Sequence, residues 1–587
     1  MSQRPDAAAL APSAPSAPPP ADADRATSYV ARMLQQHLVD DPTGRAWQAE
    51  GSAAFADISG FTQLSEALAR KGREGAEQIT DIIGQVFEAL LAVAYDNGGS
   101  LLKFGGDALL LWFDGEDHAA RAARTSVLMR SVLREVGRIE LPDARITLRM
   151  AQGLHSGTFN FFAVGESHLE LLTTGPAWSR LVAMQHGAGA DEVVVSPETA
   201  AVLPPECVGD PKASGRLLAS EPPGEFAKLP LRPRPAMTAD AIARCLPAAV
   251  REHLRDASAL PEHRPVTVAF IRYGGIDVLI EHQGKDVAAS ALQQLLVTVE
   301  RAAGAQGVSF LASDVDDDGG KLILTAGAPK VTGDDEERML LALRAIVEGN
   351  LPLPIHIGVN RGAVLAGDIG PFYRRTYTVM GDAVNLAARL MAKAEPSVPA
   401  EIYATFEVLQ RSKTSFETRE LEPFTVKGKS EPVHAWSVGR AQGSRAWQAE
   451  ERLTLTGRDA ELGVIRKAFA SARSGQGRLV ELTGEAGVGK TRLLEALRDA
   501  AAGFRKLHAT CEAYTASTPY AVWRELLRES MGFGRDDPDA TVAERLRGEV
   551  TTRTPELLPW YPLIAVAVGI DVAPTPEIQM LAEKNRR

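Results

Sequence analysis

Cysteine is scarce. The three in 587 residues, Cys207, Cys245 and Cys511, form neither a disulfide framework nor a metal-binding spacing, which points to a reducing compartment. Long apolar runs are missing too. The nearest approach, Tyr561 to Val572, is shorter than the roughly 18 residues needed to span a bilayer. No basic-then-apolar leader opens the chain. These absences predict a cytoplasmic protein with no membrane span. Positive charge is not in excess: 64 Lys and Arg against 75 Asp and Glu leave a net −11, which argues against nucleic acid or anionic membrane as the main partner. What is present is an ordinary folded composition, 45% apolar and 24% charged, over a length that suggests three or four domains.

Residues 1–26 are rich in Ala and Pro and poor in large apolar side chains, so they are expected to be a disordered tail. Tyr29, Val30, Met33, Leu34 and Leu38 keep helical spacing, which places an N-terminal helix within 27–50. The first motif follows at Phe55-Ala56-Asp57-Ile58-Ser59-Gly60-Phe61-Thr62. A short apolar strand carries a carboxylate near its end, and a small-residue turn then opens a helix. An Asp there can ligate Mg²⁺ while backbone N–H groups of the turn receive phosphate oxygens. Asp before a helix is also a common N-cap. A second carboxylate changes that balance. Asn97-Gly98-Gly99 is a turn, and Ser100 to Phe113 reads as a β-hairpin of two apolar strands with Asp107 opening the second.

FADISGFT together with KFGGDALLLWF resembles the class III nucleotide cyclase domain. The resemblance implies two metal ions, Mg²⁺ or Mn²⁺, held by Asp57, Asp107 and the carbonyl of Ile58. It also implies that Ser59, Gly60, Phe61 and Thr62 contact the substrate phosphates. The domain is expected over 51–218 with an α+β sheet of the ferredoxin-like type, followed by a proline-rich linker over 219–263 containing a helix at Ala239 to Leu254.

A second copy spans 264–438, offset by about two hundred residues. Its first strand, Val266 to Arg272, puts Arg272 where Asp57 stands, so one metal ligand is lost. Its hairpin carries the acidic run Asp314-Val315-Asp316-Asp317-Asp318, which lacks calcium-loop spacing and reads as a solvated tip. Further on, Tyr377-Thr378-Val379-Met380-Gly381-Asp382 leads into a helix with Asn385 and Arg389 on one face. This string resembles the substrate half of the family: Asn385 would orient the ribose, Arg389 would meet the phosphate charge and Thr378 would face the adenine. In the first copy the same positions are Leu172, Ser179 and Ala183. One copy therefore keeps the metal ligands and the other the substrate ligands, which predicts one composite site at a pseudo-twofold interface plus one degenerate site. The family usually presents a lysine from the second hairpin to the purine. Matching strand ends puts Asp318 at that place, with Lys321 three residues on, so Lys321 is the candidate contact and Asp318 a candidate guanine acceptor. Lys427 and Lys429 in the Val426–Lys429 turn are candidate triphosphate contacts; a solvated basic turn is the other reading.

After a linker at 439–454, the segment 455–587 carries Gly484-Glu485-Ala486-Gly487-Val488-Gly489-Lys490-Thr491 between an expected strand, Arg478 to Thr483, and a helix. This is a complete P-loop, with Gly484 and Gly489 shaping the loop, Lys490 for the phosphates of a second nucleotide and Thr491 for Mg²⁺. No acidic-ended strand follows, so an α/β P-loop ATPase module that stops short is expected. The whole arrangement resembles the soluble adenylyl cyclase type. It implies ATP as substrate and, through Lys103 and Arg180 in the degenerate half, bicarbonate as an anion regulator, with Lys103 otherwise expected on Asp107. The alternatives are a nucleotide-sensing module that regulates the ATPase, and a guanylyl cyclase.

Overall fold

The computed structural model describes residues 22–69, 72–141, 144–224, 235–255, 261–330, 333–394, 400–425, 432–444, 457–484, 490, 493–494, 501, 503–507, 509, 520–533, 539–570 and 572–579. The expected tail over 1–21 lies outside these residues, as do Lys427, Lys429, Gly489 and Thr491; for Thr62 only the backbone is described. The chain divides into two compact units, 1–445 and 446–587.

Two short helices, α1 (Asp22–Thr27) and α2 (Arg32–Asp40), precede the first sheet rather than one continuous helix. The first domain then runs β1 (Ala46–Ser59), α3 (Phe61–Ala69), α4 (Gly72–Asp96), β2 (Gly99–Gly105), β3 (Ala108–Phe113), α5 (His118–Val136), β4 (Arg138–Leu141), β5 (Ala144–Thr147), β6 (Arg149–Val164), β7 (Glu170–Thr173), α6 (Pro176–Gly187), β8 (Val193–Val195), α7 (Pro197–Val202), β9 (Val208–Lys212) and β10 (Gly215–Leu218). Its sheet order is β2-β3-β1-β6-β8-β10-β9, with β7 also on β6. The first four strands form the ferredoxin-like pattern. β1 starts at Ala46, five residues before the expected boundary, and pairs along β6 from Ala46↔Phe162 to Ser59↔Arg149. The apolar stretches Arg145–Leu154 and Phe159–Val164 fall on β5 and the long β6.

The linker contributes α8 (Ala239–Ala243) and α9 (Ala248–Arg255), broken at Pro247, where an expected single helix would need an N–H that proline lacks. The second domain repeats the first: β11 (Glu262–Tyr273), α10 (Ile276–Gln283), α11 (Lys285–Ala305), β12 (Ser309–Asp316), β13 (Gly319–Ala326), α12 (Asp335–Glu348), β14 (Ile355–Ile369), β15 (Thr376–Met380), α13 (Asp382–Lys393), β16 (Ala400–Thr405), α14 (Phe406–Arg411), β17 (Thr414–Glu420) and β18 (Ala435–Ser444). Its order, β12-β13-β11-β14-β16-β18-β17 with β15 on β14, is that of the first sheet.

Alternation decides what each strand face does. Along β1, Ala54, Ala56 and Ile58 enter one core with α3–α5, while Ala53 and Phe55 enter another with α2, α6 and α8. Asp57 shares the parity of Ala53 and Phe55, so the strand delivers its carboxylate to the face away from α3–α5. The domains share their cores reciprocally. Leu365, Ile369 and Met380 of the second are buried with Ile58, Phe61 and Phe104 of the first. Phe162, Val164 and Leu172 of the first are buried with Ala269, Ile271 and Ile276 of the second.

In the second unit, helices Ala521–Met531, Asp539–Arg553 and Tyr561–Val568 surround Val542, Leu546, Tyr561 and Ala565. The strand expected at Arg478–Thr483 is not formed: residues 476–484 have no regular structure, and Leu479 is 97% exposed, so no sheet buries it. Among the described residues no helix is long and apolar enough to cross a membrane.

Candidate active site

The two expected metal carboxylates come from adjacent strands. Asp57 pairs in register with Ala108, and the Ile58 N–H donates to the Asp107 carbonyl at 3.3 Å, which places Asp107 in the turn beside Asp57. Both carboxyls are half-buried. Burial pushes Asp107 up to about 7, helped by the charge of Asp57 and then of Asp314; burial and Asp314 raise Asp57 as well. Crowded acidic oxygens of this kind suit a hard divalent cation, and its charge would relieve the crowding. Among the described residues no cage of three or more ligating side chains gathers, so a bound ion would draw further oxygens from substrate and water.

The turn after Asp57 is built as phosphate binding requires. Gly60 has φ 114°, and a Cβ there would stand 2.8 Å from Leu148 Cδ2, so only glycine fits. The ring of Phe61 is buried against Phe87, leaving its backbone N–H as the group able to reach a ligand. Ser59 is exposed, and its hydroxyl sits 3.4 Å from the Arg149 carbonyl.

On the second domain, Thr378 lies on β15 opposite Gly367, and Gly381 (φ 146°) turns the chain into α13, whose face carries Asn385 and Arg389. Arg389 is half-buried and has no carboxylate against it among the described residues. Met380, one residue before the turn, sits in the same core as Ile58, Phe61 and Phe104, so the start of α13 adjoins the segments that carry Asp57 and Asp107.

The degenerate half is filled by the chain itself. Arg272, at the place of Asp57, pairs with Asp316 at 3.1 Å, and Lys321 pairs with the same carboxylate at 3.3 Å. The two cations occupy the region that metals would take in the other copy. Asp318 accepts the backbone N–H of Gly275 at 3.0 Å and of Asp277 at 3.2 Å; these residues correspond to Gly60 and Thr62, so a carboxylate sits on the phosphate turn. The hairpin tip is then tied to the first domain: the Asp318 N–H donates to Ser179 Oγ at 2.9 Å, and Thr174 Oγ1 donates to the Gly319 carbonyl at 2.8 Å. This corrects three expectations. The acidic run is not a solvated tip, because Asp316 is buried and Asp318 caps α10. Asp318 is committed to those amides and is not presented as a guanine acceptor. Lys321 is held on its own hairpin rather than turned to a purine.

Register also moves the missing lysine. Lys103 lies opposite Leu110, and its counterpart opposite Ile323 is Ala312, not Asp318. Two residues on, Asp314 lies against the first domain, its Oδ2 2.9 Å from where a Cβ on Gly105 would stand. Sequence patterning missed Asp314 because it sits inside a run that looks uniformly solvated.

Lys103 and Arg180 are not brought together. Lys103 is buried and donates to Glu170 at 3.1 Å and to both oxygens of Ser313, in place of the expected contact with Asp107. Arg180 is 58% exposed and pairs with Glu198 at 3.3 Å. In the P-loop, Lys490 Nζ donates to the Gly484 carbonyl at 2.7 Å.

Residues 338–438 match the family described as the adenylate and guanylate cyclase catalytic domain, and residues 454–580 match the AAA ATPase domain. The chain is 25% identical over 387 residues to adenylate cyclase type 10 of Oryctolagus cuniculus, covering 58% of this chain and 24% of that protein. It thus spans about a quarter of the length of the curated relatives it matches first. An uncharacterized protein of Mycobacterium tuberculosis, Rv1320c, is 33% identical over 117 residues, covering 19% of this chain and 20% of that protein. Among solved structures, a class III adenylyl cyclase-like ATP-binding protein from Pseudomonas aeruginosa matches at TM-score 0.45 and 14% identity, over 62% of this chain and 85% of that one. The chain carries a class III cyclase domain followed by an AAA ATPase domain, and is homologous to the soluble adenylyl cyclases.

Proposed function

We propose that the tandem domains form one pseudo-twofold catalytic site that converts ATP into 3′,5′-cyclic AMP and pyrophosphate. The observation that carries this reading is complementary retention. Asp57 and Asp107 persist in the first domain, Asn385 and Arg389 in the second, and a shared core sets the start of α13 beside the metal half. Asp57, Asp107 and the Ile58 carbonyl would hold two Mg²⁺ or Mn²⁺ ions, which in such sites activate the attacking hydroxyl and neutralise the triphosphate. The N–H groups of Gly60, Phe61 and Thr62 would receive phosphate oxygens at the start of α3. Asn385 would orient the ribose so that its 3′-oxygen lies in line with the α-phosphorus. Arg389 would stabilise charge building on the α-phosphate, a role whose loss typically costs about a hundredfold or more. Positioning and charge then suffice, with no protein nucleophile.

Thr378 favours adenine in this reading. A second reading, GTP as substrate, rests on Ala312, which stands where the resemblance expects a lysine at the purine. The reading of a nucleotide sensor that gates the ATPase domain predicts binding without turnover. Incubating the full chain with ATP or GTP and Mg²⁺ or Mn²⁺, and identifying products chromatographically, separates the three. Cyclic AMP and pyrophosphate from ATP support the proposal; binding without cyclic product from either nucleotide overturns it.

A further inference from the structure

We propose that His168 is a pH-sensitive clamp between the two sheet domains, its imidazolium holding a glutamate from each. His168 precedes β7 in the first domain and is fully buried. Its Nδ1 lies 2.8 Å from Glu300 Oε1 on α11 of the second domain, and its Nε2, which makes no hydrogen bond, lies 3.4 Å from Glu170 Oε2 on β7, within ion-pair reach. Glu300 is itself 3% exposed and also accepts the N–H groups of Glu166 and Ser167, at 2.8 and 3.1 Å, and the Ser167 hydroxyl at 2.8 Å. Glu170 takes Lys103 on its other oxygen, and Ser313 of β12 bonds both of them. Two glutamates, one lysine and one imidazolium are electroneutral. A neutral imidazole leaves the buried set at net −1, an imbalance that desolvated charges tolerate poorly.

Arg374, a buried cation lining the same cavity as Lys103 and Glu170, donates to the carbonyls of Leu101 and Leu102 rather than to either glutamate. The ring of Phe310 on β12 lies 5.0 Å from the imidazole. Tyr273 of β11 and Cys245 after α8 stay neutral, since burial pushes the phenol far up and the thiol up to about 12. Asp314 and Asp316 lie further along β12 and add negative charge. Arg301 of α11 is spent on Glu166 at the exposed rim, at 2.7 Å, and Arg244 faces this region with its backbone, whose carbonyl accepts the Leu169 N–H. Burial alone would lower His168, but Glu170 and Glu300 together raise it above the ordinary histidine value. Burial raises Glu170, while Lys103 and His168 bring it down to about 2, so both partners stay ionised across the range in question. The sign follows. A histidine raised by folding contributes its full stabilisation below about 6.5 and loses it as pH climbs through the raised value.

This clamp stands whether or not the pair is a cyclase, because its readout is stability. The test is unfolding of the full chain from pH 6 to 9 at fixed ionic strength, for wild type, His168→Gln and Glu300→Gln. At pH 6 the unfolding equilibrium constant of wild type should be tenfold or more below that of His168→Gln, and the gap should shrink as pH rises. Glu300→Gln removes one of the two charges that raise His168, so the pH at which stability falls should move down. A gap that is constant with pH overturns the clamp. If His168→Gln does not fold, the Glu300→Gln curve decides: a downward shift supports the clamp and an unmoved midpoint overturns it.

Discussion

Asp318 offers a prediction that separates three physical effects at one position. Its carboxylate accepts two amides at the start of α10, its own N–H donates to Ser179 of the other domain, and its backbone sits at φ 52°. Asn tolerates that left-handed conformation and keeps one acceptor oxygen, but loses the charge at the helix start. Gly relieves the backbone and removes the acceptor. Ala removes the acceptor and keeps the strain. Losing the cap should cost about 1–2 kcal/mol, from the usual value of an N-cap and of orphaned amides. The left-handed backbone should add about 1 kcal/mol for Ala alone. The expected stability order is therefore wild type, Asn, Gly, Ala, with Ala about 2–3 kcal/mol below wild type by these two contributions. Chemical denaturation of the full chain, read at the transition of the sheet domains, gives the order. An Ala variant indistinguishable from wild type would refute the view that Asp318 fills the phosphate turn, and one indistinguishable from Gly would refute the backbone contribution.

Two further outcomes follow from the same geometry. Added bicarbonate, at fixed pH and ionic strength with chloride as control, should leave the cyclase rate flat, because Lys103 already holds the buried carboxylate of Glu170; stimulation lost in Lys103→Ala would contradict this. Mg²⁺ should stabilise the chain more at pH 8 than at pH 5.5, because Asp107, pushed up to about 7, must release its proton to ligate. The same shift makes the metal-free carboxyl destabilising as pH rises from its ordinary value towards 7. Thermal unfolding with and without Mg²⁺ at both pH values measures the difference, and equal stabilisation would contradict it.

Legibility varied with how local the determinant was. The strand–turn–helix around Asp57 and the hairpin before Asp107 are short, strongly patterned stretches, and the duplicated sheet follows from the repeat. The acidic run at Asp314–Asp318 was opaque. Asp314, Asp316 and Asp318 are held by partners some forty residues back, on β11 and at the start of α10, or in the other domain, which no window of alternating residues contains. His168 is half of this kind: Glu170 is two residues away, but Glu300 comes from α11 of the other domain. The position of the absent lysine was misread because the second hairpin runs two residues further on each strand, to Asp316↔Gly319 where the first ends at Gly105↔Ala108, so matching strand ends slips the count. The strand before the P-loop had a suitable apolar pattern, but no neighbouring strand buries it.

The central claim is that one site is shared between two domains, and cyclic AMP formation by Asp57→Ala, Asn385→Ala and the double variant tests it directly. Asp57 lies on β1 of the first domain and Asn385 on α13 of the second, more than three hundred residues apart in sequence. If both serve one site, each single substitution should lower the rate about a hundredfold or more, and the double variant should be little worse than the weaker single, because groups acting as a unit are not additive. Either single variant keeping half the wild-type rate would mean that the domains work separately, and would contradict the account.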